Sequence, residues 1–151
     1  MAKTYILKRE QWVPRTIDVA FEFFSRAGNL QNITPPWLDF RITQLQTALH
    51  AGTVIRYELR IHRLPVKWKT EIAEWEPPRR FVDVQISGPY QLWHHTHTFV
   101  EERGGTSIRD LVRYALPFGP IGQIAHWLLV QRDLEQIFDY RGQRMSELLG
   151  S

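Results

Sequence analysis

Cysteine is absent from the 151-residue chain. Disulfides, thiolate nucleophiles, cysteine-ligated zinc and iron–sulfur clusters are excluded with it. Long apolar runs are absent too: mean hydropathy is -0.34, and no stretch approaches the ~20 residues of a membrane span. The opening residues Met1 to Glu10 hold no apolar core of a signal peptide, so the expected compartment is the cytoplasm. Net charge is +3 and the pI about 9.4, yet no basic cluster accompanies them. Arg79-Arg80 is the densest basic pair, so nucleic acid is not an expected partner. The sequence also lacks a glycine-rich phosphate loop, a serine nucleophile elbow and a dinucleotide fingerprint. It therefore predicts no cofactor and gives no support to redox or ATP-driven chemistry.

Aromatic residues are what the sequence has in excess: six Trp, eight Phe and five Tyr. In a chain of one-domain length (1–151) they imply a large core or a lined cavity. The first strand is predicted over about Lys3 to Val13. A short helix follows, capped by Thr16, with Val19, Ala20, Phe23 and Phe24 as its apolar side. Asn29 to Leu38 holds another short turn of helix, stopped at Thr34-Pro35-Pro36, and Asp39 to Leu45 reads as the second strand.

The middle of the chain alternates with a period of two. Ile55, Tyr57, Leu59 and Ile61 share one face, opposite Arg56, Glu58, Arg60 and His62. Val66 to Ile72 does the same, and pairing His62 with Pro65 would set Leu59 against Trp68, Glu58 against Lys69 and Arg56 against Glu71. Arg56, Arg60, Lys67 and Lys69 are then an outer, solvated face. Phe81 to Ile86, Gln91 to Glu101 and Thr106 to Leu116 supply three more strands. Arg103-Gly104-Gly105 is the strongest turn signal, because glycine supplies the positive φ of a tight hairpin.

From Ile121 the period becomes helical. Ile124, Leu128, Leu134, Phe138, Met145 and Leu148 make the stripe, widened by Trp127, Ile137 and Leu149. Gly119 is read as N-cap and Pro120 as first helical residue. Trp127 is expected in the core or as a cavity lid, and His126 at the surface. Gly142 lowers helix propensity, which a close approach to the sheet would explain.

The predicted class is thus α+β. Seven antiparallel strands must hide one face, and the only long amphipathic partner is the last helix. A strongly curved sheet gripping that helix satisfies both. It encloses more inner surface than one helix covers, which leaves a hollow.

Several segments carry a resemblance. Phe81-Val82-Asp83-Val84-Gln85, Gly88-Pro89-Tyr90, Trp93-His94-His95-Thr96-His97-Thr98-Phe99, Asp110, Tyr114, Leu116-Pro117-Phe118-Gly119 and Asn29 to Pro36 resemble the START-like helix-grip superfamily. That superfamily includes lipid-transfer domains, birch-pollen-allergen-like proteins and aromatic polyketide cyclases. The chain is most similar to bacterial ligand-binding SRPBCC proteins of the cyclase/dehydrase type. The resemblance implies a helix-grip fold, two short helices after the first strand and a hydrophobic cavity. It also implies that the loops bearing Trp37 and Phe118 rim the mouth.

On the sixth strand Trp93, His95, His97 and Phe99 face one way. The following turn places Ile108, Asp110, Val112 and Tyr114 on that same face, with Asp110 opposite either His97 or Phe99. Asp83 or a neighbour approaches His95 from the other side, its facing left open by the Ser87–Tyr90 loop. The expected lining is Tyr57, Leu59, Trp68, Trp93, His95, His97, Phe99, Asp110, Val112 and Tyr114. The His–Asp group reads as a buried polar network holding register, as the oriented polar part of an apolar ligand pocket, or as an acid–base group. The expected function is binding of a hydrophobic or aromatic small molecule as carrier or sensor. The enzymic alternative is a cyclase/dehydratase using His95, His97 and Asp110 on a polyketide-like substrate. A protein-binding module with a collapsed cavity is the third class. His95 and His97 have metal-ligand spacing, but the sequence secures no third ligand, so no metal is predicted.

Overall fold

The computed structural model describes residues 3–44 and 49–150. Strand β1 (Thr4–Val13) leads into helices α1 (Ile17–Ser25) and α2 (Gly28–Asn32) and a single 3-10 turn, Pro36–Leu38. Six strands follow: β2 (Arg41–Gln44), β3 (Val54–Ile61), β4 (Leu64–Glu76), β5 (Arg80–Ser87), β6 (Leu92–Glu102) and β7 (Gly105–Ala115). The C-terminal rod is α3 (Gly119–Ala125), a π-helical turn (His126–Val130) and α4 (Gln131–Leu149). The predicted second strand is thus shortened. Asp39 ends the 3-10 turn in the left-handed region (φ 46°), so extended backbone begins only at Arg41, and Leu45 lies outside the described residues.

All pairings are antiparallel, in the order β1-β7-β6-β5-β4-β3-β2. Strands β2 to β7 form a meander, and β1 adds beyond β7. Helices α1 and α2 therefore carry the chain from one edge of the sheet to the other. Thr16 caps α1 as its sequence implies, its hydroxyl accepting from Val19 N–H at 3.3 Å. The buried side of α1 is Ala20, Phe21 and Phe24; Val19, expected inward, is exposed.

Two hairpins test the sequence register. Between β6 and β7 the turn is Arg103-Gly104, both with positive φ, and it puts His97 opposite Asp110. Between β3 and β4 the turn is His62-Arg63, also with two positive φ values (50° and 70°), so Ile61 pairs with Leu64. The expected pairing of His62 with Pro65 is corrected by this turn, which starts one residue earlier. Tyr57, not Leu59, meets Trp68; Glu58 faces Lys67 and Arg56 faces Lys69. The inward and outward faces are unchanged, because the pairing moves by an even number of residues.

The rod departs from the simple stripe. Phe118 (φ 70°) precedes the first helical residue, Gly119, where Gly119 was expected as the cap. Inward residues are Gly122, His126, Leu134, Phe138, Arg141, Met145 and Leu149. Ile124, Trp127 and Leu128 point outward, Trp127 with 81% of its surface exposed, and Leu148 is exposed as well. The π turn is the reason: one extra residue rotates the next helical face by about 100°, so a 3.6-residue pattern does not continue across it. His126, expected at the surface, is buried and shares a 2.7 Å hydrogen bond with the Tyr114 hydroxyl. Gly142 does lie where rod and sheet come close. The Gln11 side-chain amide donates to its carbonyl at 2.8 Å, and an added Cβ would stand 3.4 Å from Gln11 Oε1.

Candidate functional site

Beneath the rod, on the β3–β5 side, the sheet and α4 leave a hollow of about 690 Å³. A collapsed interior, the third expectation, is excluded by that volume. Six of the ten expected wall residues line it: Tyr57, Leu59, Trp68, Trp93, His95 and His97. Four are buried but do not line it. Phe99 packs in a ring cluster with Phe21, Phe24 and Phe81, at centroid distances of 5.1, 5.5 and 6.2 Å. Val112 lies in the core with Leu134 and Phe138. Tyr114 bonds His126, and Asp110 sits behind His95 with Arg141. All four share the inward face, as alternation requires. The rod covers the β7 side of that face and α1 covers its Phe99 end, and only the part they leave uncovered becomes wall.

The apolar wall is mainly aromatic. Trp68 lies 5.3 Å from Trp93 edge-on and 5.7 Å from Tyr57 stacked, with Tyr90 5.5 Å away. The indole N–H of Trp68 is buried without a partner among the described residues. Trp37 is half-exposed at the rim, edge-on to Tyr140 at 5.6 Å. Phe118 is 80% exposed and does not line the hollow. Burial, then the nearby Asp83 carboxylate, hold the Tyr57 hydroxyl well above its ordinary pKa, so it is a neutral donor. Burial raises Tyr90 in the same sense.

At the inner end five polar side chains converge from four elements. Cross-strand pairing sets Asp83 on β5 opposite His95, and His97 opposite Asp110 on β7. The hydrogen bonds run diagonally to that pairing. His95 Nε2 bonds Asp110 Oδ1 at 2.7 Å, and His97 Nε2 bonds Asp83 Oδ2 at 2.6 Å. Arg141 reaches down from α4, donating to Asp110 Oδ1 at 3.2 Å and to His97 Nδ1 at 3.4 Å. The two imidazoles stack at 3.7 Å, and Phe81 covers the other face of His97 at 3.9 Å. Both histidines are almost fully buried, at 3% and 2% exposure.

Charge in this group is set by burial against ion pairing. Burial favours neutral Asp110, but Arg141 and the bond from His95 outweigh it and hold the carboxyl well below the usual carboxylate range. Burial likewise acts on Asp83, and the two imidazoles overcome it and keep Asp83 ionised. Burial and then neighbouring His95 push His97 down to about 4, against the pull of both carboxylates. His97 is therefore neutral at pH 7. Accepting from Arg141 at Nδ1 leaves its proton on Nε2, where it is donated to Asp83.

The sequence left Asp83 undecided and missed Arg141. Asp83 lines the cavity, and its Oδ2 lies 3.7 Å from His95 Nδ1. Arg141 had one legible signal: it falls three residues after Phe138 and four before Met145, on the inward face of α4. A cation there needs a buried anion, and Asp110 supplies it. The third metal-ligand donor that the sequence lacked is also present, since Asp83, His95 and His97 each bring a donor atom within 4.8 Å of the others.

This arrangement can hold an apolar molecule against indole and phenol rings while offering oriented polar groups at one end. The comparisons agree with that fold. Residues 13–139 match the family described as polyketide cyclase / dehydrase and lipid transport, and the chain belongs to that family. Its fold is that of TTHA0849 from Thermus thermophilus, which is 19% identical with a TM-score of 0.67, covering 95% of this chain and 99% of that one. A norcoclaurine synthase point mutant from Thalictrum flavum, bound to a transition-state analogue, matches at 15% identity and TM-score 0.70, covering 97% of each chain. CV1439 from Chromobacterium violaceum matches at 10% identity and TM-score 0.74, covering 97% of this chain and 99% of that one. No curated protein matches the sequence. Among the described residues, no helix is long and apolar enough to cross a membrane.

Proposed function

We propose that the protein binds a hydrophobic or aromatic small molecule in its internal cavity, as a carrier or sensor. The observation that carries this reading is the 690 Å³ hollow, walled by Tyr57, Leu59, Trp68 and Trp93 and ended by the His95–His97–Asp83–Arg141 group. Burying an apolar ligand there gains roughly 25 cal/mol for each Å² taken from water. The unpartnered Trp68 N–H and the neutral Tyr57 hydroxyl are the polar handles nearest the apolar wall. Asp110 acts from behind, orienting His95.

The test is a fluorescence titration with a panel of naphthols, flavonoids and fatty acids, using the tryptophans of the wall as reporters. Saturable binding by at least one class, lost in Leu59→Trp, supports the reading. A panel that fails throughout, or binding indifferent to Leu59→Trp, overturns it.

A second reading, cyclase/dehydratase chemistry on a polyketide-like substrate, is favoured by the two His–Asp pairs side by side at the cavity wall. Acid–base work by His97 would make turnover fall about 10²–10⁴-fold in His97→Ala. Turnover unaffected by that change removes it from the chemistry.

A further inference from the structure

Asp83 Oδ2, His95 Nδ1 and His97 Nε2 gather within 4.8 Å of one another at the cavity wall. Asp110 is a carboxylate, so the 2.7 Å bond from His95 Nε2 requires the hydrogen on that nitrogen. The other ring nitrogen, Nδ1, is turned toward Asp83. It stands 3.7 Å from Asp83 Oδ2, beyond hydrogen-bonding range, in a residue that is 3% exposed and lines the cavity. His97 brings a third donor atom to the same place, through Nε2 at 2.6 Å from that carboxylate oxygen.

We propose that Asp83 Oδ2, His95 Nδ1 and His97 Nε2 form a binding site for a divalent first-row transition cation of the zinc type, with its open position toward the cavity. Zinc bonds of about 2.0–2.2 Å at tetrahedral angles set donor atoms about 3.3–3.5 Å apart. The His95–Asp83 distance is already close to this. The His97–Asp83 contact opens by under about 1 Å as the cation takes the place of the bridging hydrogen, and the two imidazoles, stacked at 3.7 Å, splay so that both ring planes point at the cation. The proton count balances without oxidant or reductant. His97 loses its Nε2 hydrogen and carries one on Nδ1 instead, where Asp110 Oδ1 lies 3.4 Å away. Both ligand imidazoles are then backed by one carboxylate, the outer support that metal-bound histidine usually has.

Arg141 opposes a cation, but it is matched by Asp110, and it gives up its 3.4 Å contact with His97 Nδ1 when that nitrogen takes the hydrogen. Two carboxylates, Asp83 and Asp110, stand against the one guanidinium of Arg141 in this group. Three protein ligands and one open position in a walled cavity is the arrangement of zinc sites that bind a further molecule. The open position suits an oxygen or nitrogen donor on whatever occupies the hollow. The site stands independently of the hydrophobic-ligand reading, because the metal alone is its probe.

Equilibrium dialysis of the unaltered chain against zinc, and separately against cobalt(II), with elemental analysis, should give one cation per chain. Cobalt should show the intense visible absorption of four-coordination and broaden the ring resonances of His95 and His97 while sparing His50. His97→Gln should weaken binding at least about 100-fold, Asp110→Asn about 10- to 100-fold, and exposed His50→Gln not at all. Absence of saturable binding overturns the proposal, as does cobalt located at the exposed His62–Asp133 pair, or unchanged affinity in folded His97→Gln. Should His97→Gln fail to fold, the ring broadening in the unaltered chain decides.

Discussion

Asp110 on β7 and Arg141 on α4, 31 positions apart in sequence, meet at 3.2 Å inside the protein. The pair ties the rod to the sheet at the inner end of the cavity. Arg141 is also held between rings, its guanidinium 5.4 Å from Phe24 and 5.4 Å from Phe138. It is the cation that faces the buried Asp110 carboxylate.

Removing Arg141 therefore leaves charge uncompensated. Arg141→Met should cost about 3–5 kcal/mol in chemical denaturation, the usual penalty for breaking a buried pair from one side. Asp110→Asn combined with Arg141→Met should cost clearly less than the two single changes added together, because each removes the other's unpaired charge. Additive losses would show that the pair is not coupled.

Acid should weaken the fold earlier than ordinary carboxylates would. His97 is lowered to about 4 from 6.5, so between these values the unfolded chain binds the proton and the native one does not. Stability is then lost as pH falls from about 6.5 to about 4, by on the order of 3 kcal/mol for this ring. Below that range Asp83 and Asp110, both lowered, add to the loss as they are protonated. Denaturation midpoints measured from pH 8 to pH 3 should show this two-stage decline. His97→Phe should flatten the upper stage, and an unaltered upper stage in that variant would assign it elsewhere.

Phe99 and Trp93, two residues on the same face of β6, should separate core from wall. Phe99→Ala should cost about 3–5 kcal/mol of stability and leave ligand preference unchanged, since Phe99 touches the ring cluster and not the hollow. Trp93→Ala should change the affinity and selectivity of cavity ligands. The reverse outcome would place the ligand on the β7 side of the rod.

The strands, the two short helices and the rod were legible because antiparallel strands and amphipathic helices write their periods into sequence. The β6–β7 register was narrowed to two by Arg103-Gly104-Gly105, and the Arg103-Gly104 turn is the one that sets His97 opposite Asp110. The β3–β4 register was not legible, because His62-Arg63 adopts two positive φ values with neither glycine nor asparagine to announce them. Period two told which face of β7 points inward. It carried no information on which part of the inward face the rod and α1 cover, and so Asp110, Val112 and Tyr114 on β7 and Phe99 on β6 were expected in the wall. Arg141 was hidden for a related reason: a cation in an apolar stripe acquires its meaning only from Asp110, on another element. The π turn rotated His126 inward and Trp127 outward, and the sequence pattern had placed both the other way.

The same turn offers a simple gain. Arg63→Gly should stabilise the protein by about 0.5–1 kcal/mol, because glycine adopts φ near 70° without the penalty of a side chain. A loss of stability would mean that Arg63 makes contacts worth more than its backbone strain.

The central claim is that the hollow holds a small hydrophobic molecule. Native mass spectrometry of protein purified without organic solvent tests it most directly. The account predicts a discrete added mass, one molecule per chain, released on collisional activation and absent from Leu59→Trp, whose larger side chain fills the space. Bare protein that also fails to take up any member of the aromatic and fatty-acid panel, or an added mass retained in Leu59→Trp, would contradict it.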